Sequence, residues 1–284
     1  MRHKNIVGNT PLINITKNIY AKLETYNPTG SIKDRIIYYI CEEEKRNGIL
    51  RPSVTLVEAT SGNTGIALAA YGAANNHPVK IIMPQNMSEG RKKMIALFGA
   101  EIIQVGDYDF EKAIEIRDEL VENNKDYWSP NQFENQLNIE CHYNTTAHEI
   151  SEQLESMGLK WGSFVSGAGT GGTIMGVNKF LQKFKPDAKT YLILPKEEQH
   201  DIQGIGDGDD FLVNKDLIED IVVVSTSDAK NEARKLTIDL GVPVGTSSGA
   251  NIFAAKLLAE KIDNPNLAIV TVLCDRGERY LPNL

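Results

Sequence analysis

Three polar segments carry the residue types from which a catalytic site is built. In Asn27-Pro28-Thr29-Gly30-Ser31-Ile32-Lys33-Asp34-Arg35, a Pro/Gly turn leads through Ser31, an N-cap candidate, into a helix beginning near Lys33. A lysine at a helix start meets the positive end of the helix dipole. That favours a neutral amine or imine over an ammonium and suits Schiff-base chemistry. A lone lysine is more often a solvated surface group, so its company decides.

The second segment, Glu58-Ala59-Thr60-Ser61-Gly62-Asn63-Thr64-Gly65, follows a strand and opens a helix. Its hydroxyls, amide side chain and backbone N–H groups make an anion cradle suited to an α-carboxylate or a phenolate oxygen. The same Thr and Ser would also serve as simple helix caps. The third, Ser166-Gly167-Ala168-Gly169-Thr170-Gly171-Gly172-Thr173, again joins a strand to a helix, and its glycines let backbone amides close on a phosphate. It lacks the Lys-Ser/Thr of a nucleotide P-loop and is read as not matching the dinucleotide fingerprint G-x-G-x-x-G, so the expectation is a phosphate with no nucleotide attached.

These loops need strands and helices to hold them. Apolar, β-branched runs at 54–58, 79–83 and 101–105 alternate with helical patterns at 64–75, 88–98 and 111–123. After a loop around 129–138 come helices at 145–157, 173–184, 227–240 and 249–262 and strands at 163–166, 190–194, 221–224 and 268–273. The alternation predicts an α/β protein of two open, mostly parallel-sheet lobes, with ligands beyond the C-terminal ends of the strands. The boundaries expected are 1–140 for the first lobe and 141–284 for the second.

Composition narrows the function classes. The chain has 284 residues, 41% of them hydrophobic and 24% charged, with a formal net charge of -8. This acidic balance argues against a nucleic-acid surface. Cys41, Cys141 and Cys274 are widely spaced, which indicates neither a disulfide framework nor a zinc knuckle and fits a reducing, cytoplasmic setting. No run approaches a membrane span, and no apolar leader follows the N-terminal charges. His3, His77, His142, His148 and His200 lack metal-ligand spacing, so no metal is expected.

Together the three loops resemble the cysteine synthase and cystathionine β-synthase family, the fold type II pyridoxal-phosphate enzymes. The resemblance spans nearly the whole chain, from Val7-Gly8-Asn9-Thr10-Pro11-Leu12 through Asn131-Gln132-Phe133-Glu134-Asn135 and His142-Tyr143-Asn144-Thr145-Thr146 to Asp275-Arg276-Gly277-Glu278-Arg279-Tyr280. It implies pyridoxal 5'-phosphate in the cleft between the lobes, joined to Lys33, which also serves as the proton-transfer base. It further implies that Asn63 binds the cofactor's 3'-oxygen, that Gly169, Thr170, Gly171, Gly172 and Thr173 hold its phosphate, and that Ser247 meets the pyridine nitrogen. Thr60, Ser61, Thr64 and Gln132 would grip the substrate carboxylate. Also implied are a first lobe (about 35–140) that closes over substrate, an early segment crossing to the other lobe, and a homodimer.

A neutral hydroxyl at the pyridine nitrogen makes the ring a milder electron sink than a carboxylate would, which favours expulsion of a β-leaving group. The expected reaction is β-replacement or β-elimination on a small amino acid. One form makes L-cysteine from an O-activated serine and sulfide. The other releases hydrogen sulfide from L-cysteine and adds water or a thiol. The second is suggested by Asp207, which stands where the family usually carries a small residue and would orient the incoming nucleophile. Asp is also a common turn residue that needs no such role. The segment Leu194–His200 is shorter than in the family, reshaping the mouth of the site. Alternatives are a serine/threonine deaminase of the same fold and a regulator that binds a serine acyltransferase tail. The intact Lys33 argues for retained catalysis.

Overall fold

The computed structural model describes residues 6–60, 62–206, 211–262 and 264–280. In chain order its strands and helices are β1 (Leu12–Thr16), β2 (Ile19–Leu23), α1 (Lys33–Arg46), β3 (Thr55–Ala59), α2 (Asn63–Asn75), β4 (Val79–Pro84), α3 (Glu89–Leu97), β5 (Glu101–Val105), α4 (Phe110–Asn123) and β6 (Tyr127–Trp128). They continue with α5 (Leu137–His142), a π-helical turn (Tyr143–Ala147), α6 (His148–Ser156), β7 (Lys160–Gly167), α7 (Gly172–Phe184), β8 (Lys189–Pro195), β9 (Asp220–Val224), α8 (Thr226–Leu240), α9 (Thr246–Lys261) and β10 (Leu267–Leu273). No described helix is long and apolar enough to cross a membrane.

The chain divides into two compact units. One comprises Asn27–Asn135 with the first described residues; the other comprises Gly8–Tyr26 and Gln136–Leu284. The first is built on a four-stranded parallel sheet in the order β5-β4-β3-β6. Its central strands read as continuous apolar runs because both faces are covered: Leu56, Val57, Ile81, Ile82 and Met83 are all buried. Residues Thr64–Gly72 of α2 are buried on every side, which is why that helix is built from Ala, Gly and Leu rather than an amphipathic stripe.

The second unit carries a six-stranded sheet, β1-β2-β10-β7-β8-β9, parallel except for the β1–β2 pair. The buried Lys22 of β2 explains how the early segment is fastened here. Its Nζ donates to the Thr10 carbonyl (2.5 Å) and Gln153 Oε1 (2.8 Å) and pairs with Glu149 (2.7 Å). Leu23, Val165, Ile193, Ala250, Ala254 and Ile269 lie in the core beneath α8 and α9.

Four local differences from the sequence expectations have physical causes. The N-cap of α1 is Ile32, not Ser31, although Ser31 Oγ still accepts from the Lys33 amide at 3.3 Å. Helix α9 begins at Thr246, three residues early, which takes Ser247 into its first turn. Residues 137–156 form one helical path interrupted by the π turn, where Thr145 Oγ1 donates to the Cys141 carbonyl at 2.7 Å. The β1–β2 hairpin was not among the expected strands.

Candidate active site

In the first unit, Lys33 is the opening residue of α1. The turn before it is locked: Gly30 N–H donates to the Asn27 carbonyl (2.8 Å), while Asp34 accepts from both the Thr29 amide (3.0 Å) and Thr29 Oγ1 (2.8 Å). Lys33 is half-buried among buried neighbours Ile32, Asp34 and Arg35. An amine on a rigid, partly desolvated helix start is suited to covalent catalysis.

In the same unit, β3 runs into α2 through the second polar segment. Thr60, Thr64 and Gln132 are buried. Thr64 Oγ1 donates to Gln132 Oε1 (2.7 Å), and Thr60 Oγ1 accepts from the Gly62 amide (3.1 Å). The N-cap of α2 is Gly62, which has no side chain to cap the first turn, so the positive end of the dipole is available to an anion. Glycine is required: φ is 149°, and a Cβ would lie 2.2 Å from Arg91 Cδ. Asn63 is the first residue of α2 and half-buried.

Behind this loop, the carboxylate of Glu58 is fully buried and burial pushes its pKa up, against the opposing pull of Arg117 and two backbone amides. Cys41 is likewise raised by burial and is no nucleophile.

In the second unit, the glycine loop links β7 to α7. Gly171, with φ of 91°, is the N-cap and offers no capping side chain. The loop is closely walled. A Cβ on Gly169 would sit 2.9 Å from the Gly204 carbonyl, one on Gly171 2.6 Å from Val213 Cγ2, and one on Gly172 1.9 Å from Asn138 Oδ1. Two side chains one turn apart hold its hydroxyls. Asn138 Nδ2 donates to Thr170 Oγ1 (3.0 Å), and His142 Nε2 lies 3.2 Å from Thr173 Oγ1, with its Nδ1 2.9 Å from Thr146 Oγ1.

Asn251 explains why α9 opens on the same edge. Its Oδ1 accepts from the Gly167 amide (3.0 Å) and its Nδ2 donates to the Val272 carbonyl (2.8 Å), tying α9 to the C-terminal ends of β7 and β10. Ser247 is buried in the first turn behind another glycine N-cap, Gly245. The neighbouring Thr246 Oγ1 is buried without a hydrogen-bond partner among the described residues.

Ser61 and Asp207 lie outside the described residues. Both flanks of the segment that carries Asp207 are tied to the glycine loop: the Gly206 amide donates to the Ala168 carbonyl (2.9 Å) and the Leu212 amide to the Thr170 carbonyl (3.1 Å). The sequence reading passed over Glu58, Arg117, Asn138 and the role of His142. The expectation that the loop lacks the G-x-G-x-x-G spacing of dinucleotide-binding loops is also corrected, because Gly167, Gly169 and Gly172 have that spacing. That spacing leaves a nucleotide open on local grounds.

The wider match decides it, because residues 4–275 fit the model of the pyridoxal-phosphate dependent enzymes. The chain belongs to that family. A probable cysteine synthase of Bacillus subtilis is 35% identical to this pyridoxal-phosphate enzyme, over 97% of this chain and 94% of the relative. A hydrogen sulfide-producing enzyme of Fusobacterium nucleatum, solved as an Asp-to-Asn variant complexed with an α-aminoacrylate intermediate, is 38% identical with a TM-score of 0.92, covering 99% of this chain and 90% of that one. The O-acetylserine dependent cystathionine β-synthase of Helicobacter pylori is 31% identical with a TM-score of 0.90, covering 99% and 96%. The enzyme is thus of the cysteine synthase-like, fold type II kind.

The residues present fit the cofactor. The second unit offers a walled glycine loop at the start of the 13-residue α7, two hydroxyls and a buried Thr246 hydroxyl with no partner among the described residues. The first offers an amine at a rigid helix start. Bound pyridoxal phosphate supplies an electron sink at the substrate's α-carbon.

Proposed function

We propose that this enzyme acts on L-cysteine, releasing hydrogen sulfide and adding water to give L-serine, or a thiol to give a thioether. Oxygen from water replaces sulfur at Cβ, so cysteine and water give serine and hydrogen sulfide. Lys33 would hold the cofactor, and its amine would move the substrate's α-proton. Asn63 meets the cofactor's 3'-oxygen, residues 169–173 take its phosphate and Ser247 meets the ring nitrogen. Thr60, Ser61, Thr64 and Gln132 receive the substrate carboxylate, and Asp207 orients the incoming water or thiol.

The observation that carries the reading is the conjunction of a lysine-bearing helix start, a hydroxyl-lined helix N-terminus and a walled glycine loop in a chain alike over nearly its full length to a hydrogen sulfide-producing enzyme. That this relative was solved as an Asp-to-Asn variant with an α-aminoacrylate intermediate supports a carboxylate in the second half-reaction. Likeness to cysteine synthases favours a second reading, O-activated serine plus sulfide giving L-cysteine. Purified enzyme is given cysteine alone, and separately O-acetylserine with sulfide, and the products are identified. Sulfide and serine from the first supports the proposal; cysteine from the second alone replaces it. Release of pyruvate or 2-oxobutyrate would point to the deaminase.

A homodimer in a cytoplasmic setting completes the proposal, checked by light scattering and cell fractionation. A serine acyltransferase tail is the expected ligand only if purified protein shows no visible cofactor band.

A further inference from the structure

None of the roles above uses the buried pair Glu58 and Arg117. Both sit within the first unit, 0% and 3% exposed, on β3 and α4. A charge near the end of a buried strand costs folding energy unless it is paired and hydrogen-bonded. The bonds show what depends on it. Glu58 Oε1 accepts from the Ala59 amide (3.0 Å) and from Arg117 (3.4 Å), and Oε2 accepts from the Gln132 amide (3.2 Å). Arg117 Nη1 also donates to Asn131 Oδ1 (3.0 Å), fixing a residue in the left-handed region (φ 46°), while its Nε donates to the half-exposed Asp118 (2.8 Å). Gln132 in turn accepts from Thr64 at 2.7 Å.

We infer that Glu58 and Arg117 are positioning residues for substrate: they set the 131–132 turn against the start of the 60–64 loop, so that Gln132 and Thr64 meet the amino acid's carboxylate in one fixed arrangement. This rests on the carboxylate-binding role proposed for those two residues. The carboxylate is needed chemically because both oxygens must accept: Oε1 from Ala59 and Arg117, and Oε2 from Gln132. An amide has one acceptor. In Glu58→Gln the NH₂ group faces a donor, either Gln132 N–H or the Ala59 and Arg117 donors, and the two loops part.

Glu58→Gln, Gln132→Ala, the double variant and Arg117→Lys are compared with wild-type holoenzyme. A hydrogen bond to a buried charge is worth about 1.5–3 kcal/mol, so KM for the amino acid rises about tenfold or more in Glu58→Gln, while kcat changes less than about threefold and the cofactor band is retained. The double variant is no worse than Gln132→Ala, because both remove the same interaction. Arg117→Lys keeps the charge but not the planar guanidinium that reaches Glu58, Asn131 and Asp118 together, and raises KM less than Glu58→Gln. KM effects that simply multiply in the double variant, or unchanged KM in folded Glu58→Gln, overturn the inference.

Amide hydrogen exchange at residues 131–133 gives a readout independent of turnover and is faster in Glu58→Gln, or in Arg117→Lys should Glu58→Gln not fold. Unchanged exchange also overturns the inference. Wild-type enzyme without a cofactor band or turnover would instead remove the functional reading, leaving the exchange measurement to judge the loop coupling by itself.

Discussion

Adding one methyl group at Gly172 separates cofactor binding from folding. In Gly172→Ala the new Cβ falls 1.9 Å from Asn138 Oδ1 and 2.4 Å from its Cγ, so the Asn138 amide must move. That amide donates to Thr170 Oγ1 at 3.0 Å, and the same hydroxyl accepts from the Gly172 amide at 3.4 Å. Losing a buried hydrogen bond costs about 1–3 kcal/mol, whereas exchanging Gly for Ala at Gly172, the first residue of α7, returns less than the roughly 1 kcal/mol of a helix interior. The two partly offset in the stability of apoprotein, and its melting temperature should fall by only a few degrees. The offset does not reach the cofactor, because helix propensity does nothing for phosphate affinity. Fluorescence titration of apoprotein with pyridoxal phosphate should therefore show a dissociation constant roughly tenfold higher or more, about 1.4 kcal/mol per decade. Wild-type affinity in a folded Gly172→Ala protein would refute the assignment of the phosphate to this loop.

Other perturbations test separate parts of the account. Asp207→Asn keeps the cofactor band but lowers turnover of cysteine by about 10²-fold, within the range for loss of a positioned acid–base group, as measured by sulfide release; a wild-type rate excludes the role. Burial raises Glu58, so the folded protein holds its proton more tightly than the unfolded chain. Stability from this site is therefore fully present below the unfolded carboxylate range and is lost as pH rises through the raised value. The melting temperature of Glu58→Gln minus that of wild type should increase between pH 4 and pH 7, by thermal denaturation; a fall would contradict the direction of the shift. Cys41 is buried with its thiol pushed up, so in native protein at pH 8 iodoacetamide leaves it unlabelled by mass spectrometry, while denatured protein labels fully.

Much of the fold was legible because the central strands β3 and β4 of the first unit are largely apolar runs, buried for most of their length, that give way to polar loops. The 101–105 strand was bounded without error. The second sheet was harder. Its antiparallel β1–β2 pair is short, with polar Asn14 and Lys22 interrupting the apolar pattern, and Lys22 is buried only because Glu149 and Gln153 arrive from far along the chain. The π turn was hidden because its extra residue is accommodated by threonine hydroxyls, not marked by a Pro or Gly.

The loops of the candidate site were legible from their own composition, but what braces them was not. Glu58 and Arg117 are 59 residues apart, and His142 and Thr173 are 31 apart. A local signal did exist for the first pair. Glu58 interrupts the apolar run Leu56-Val57-Glu58-Ala59, and Arg117 follows Ala113 by four residues on the buried stripe of α4. Opposite charges out of pattern on two core-facing elements predict a buried pair. No comparable signal marks His142, whose ring reaches Thr173 only through tertiary packing.

The most direct measurement is reduction of the holoenzyme with borohydride, followed by proteolysis and mass spectrometry of the peptides. The account predicts a single phosphopyridoxyl adduct on the peptide containing Lys33. An adduct on any other lysine, or none after incubation with pyridoxal phosphate, would contradict it.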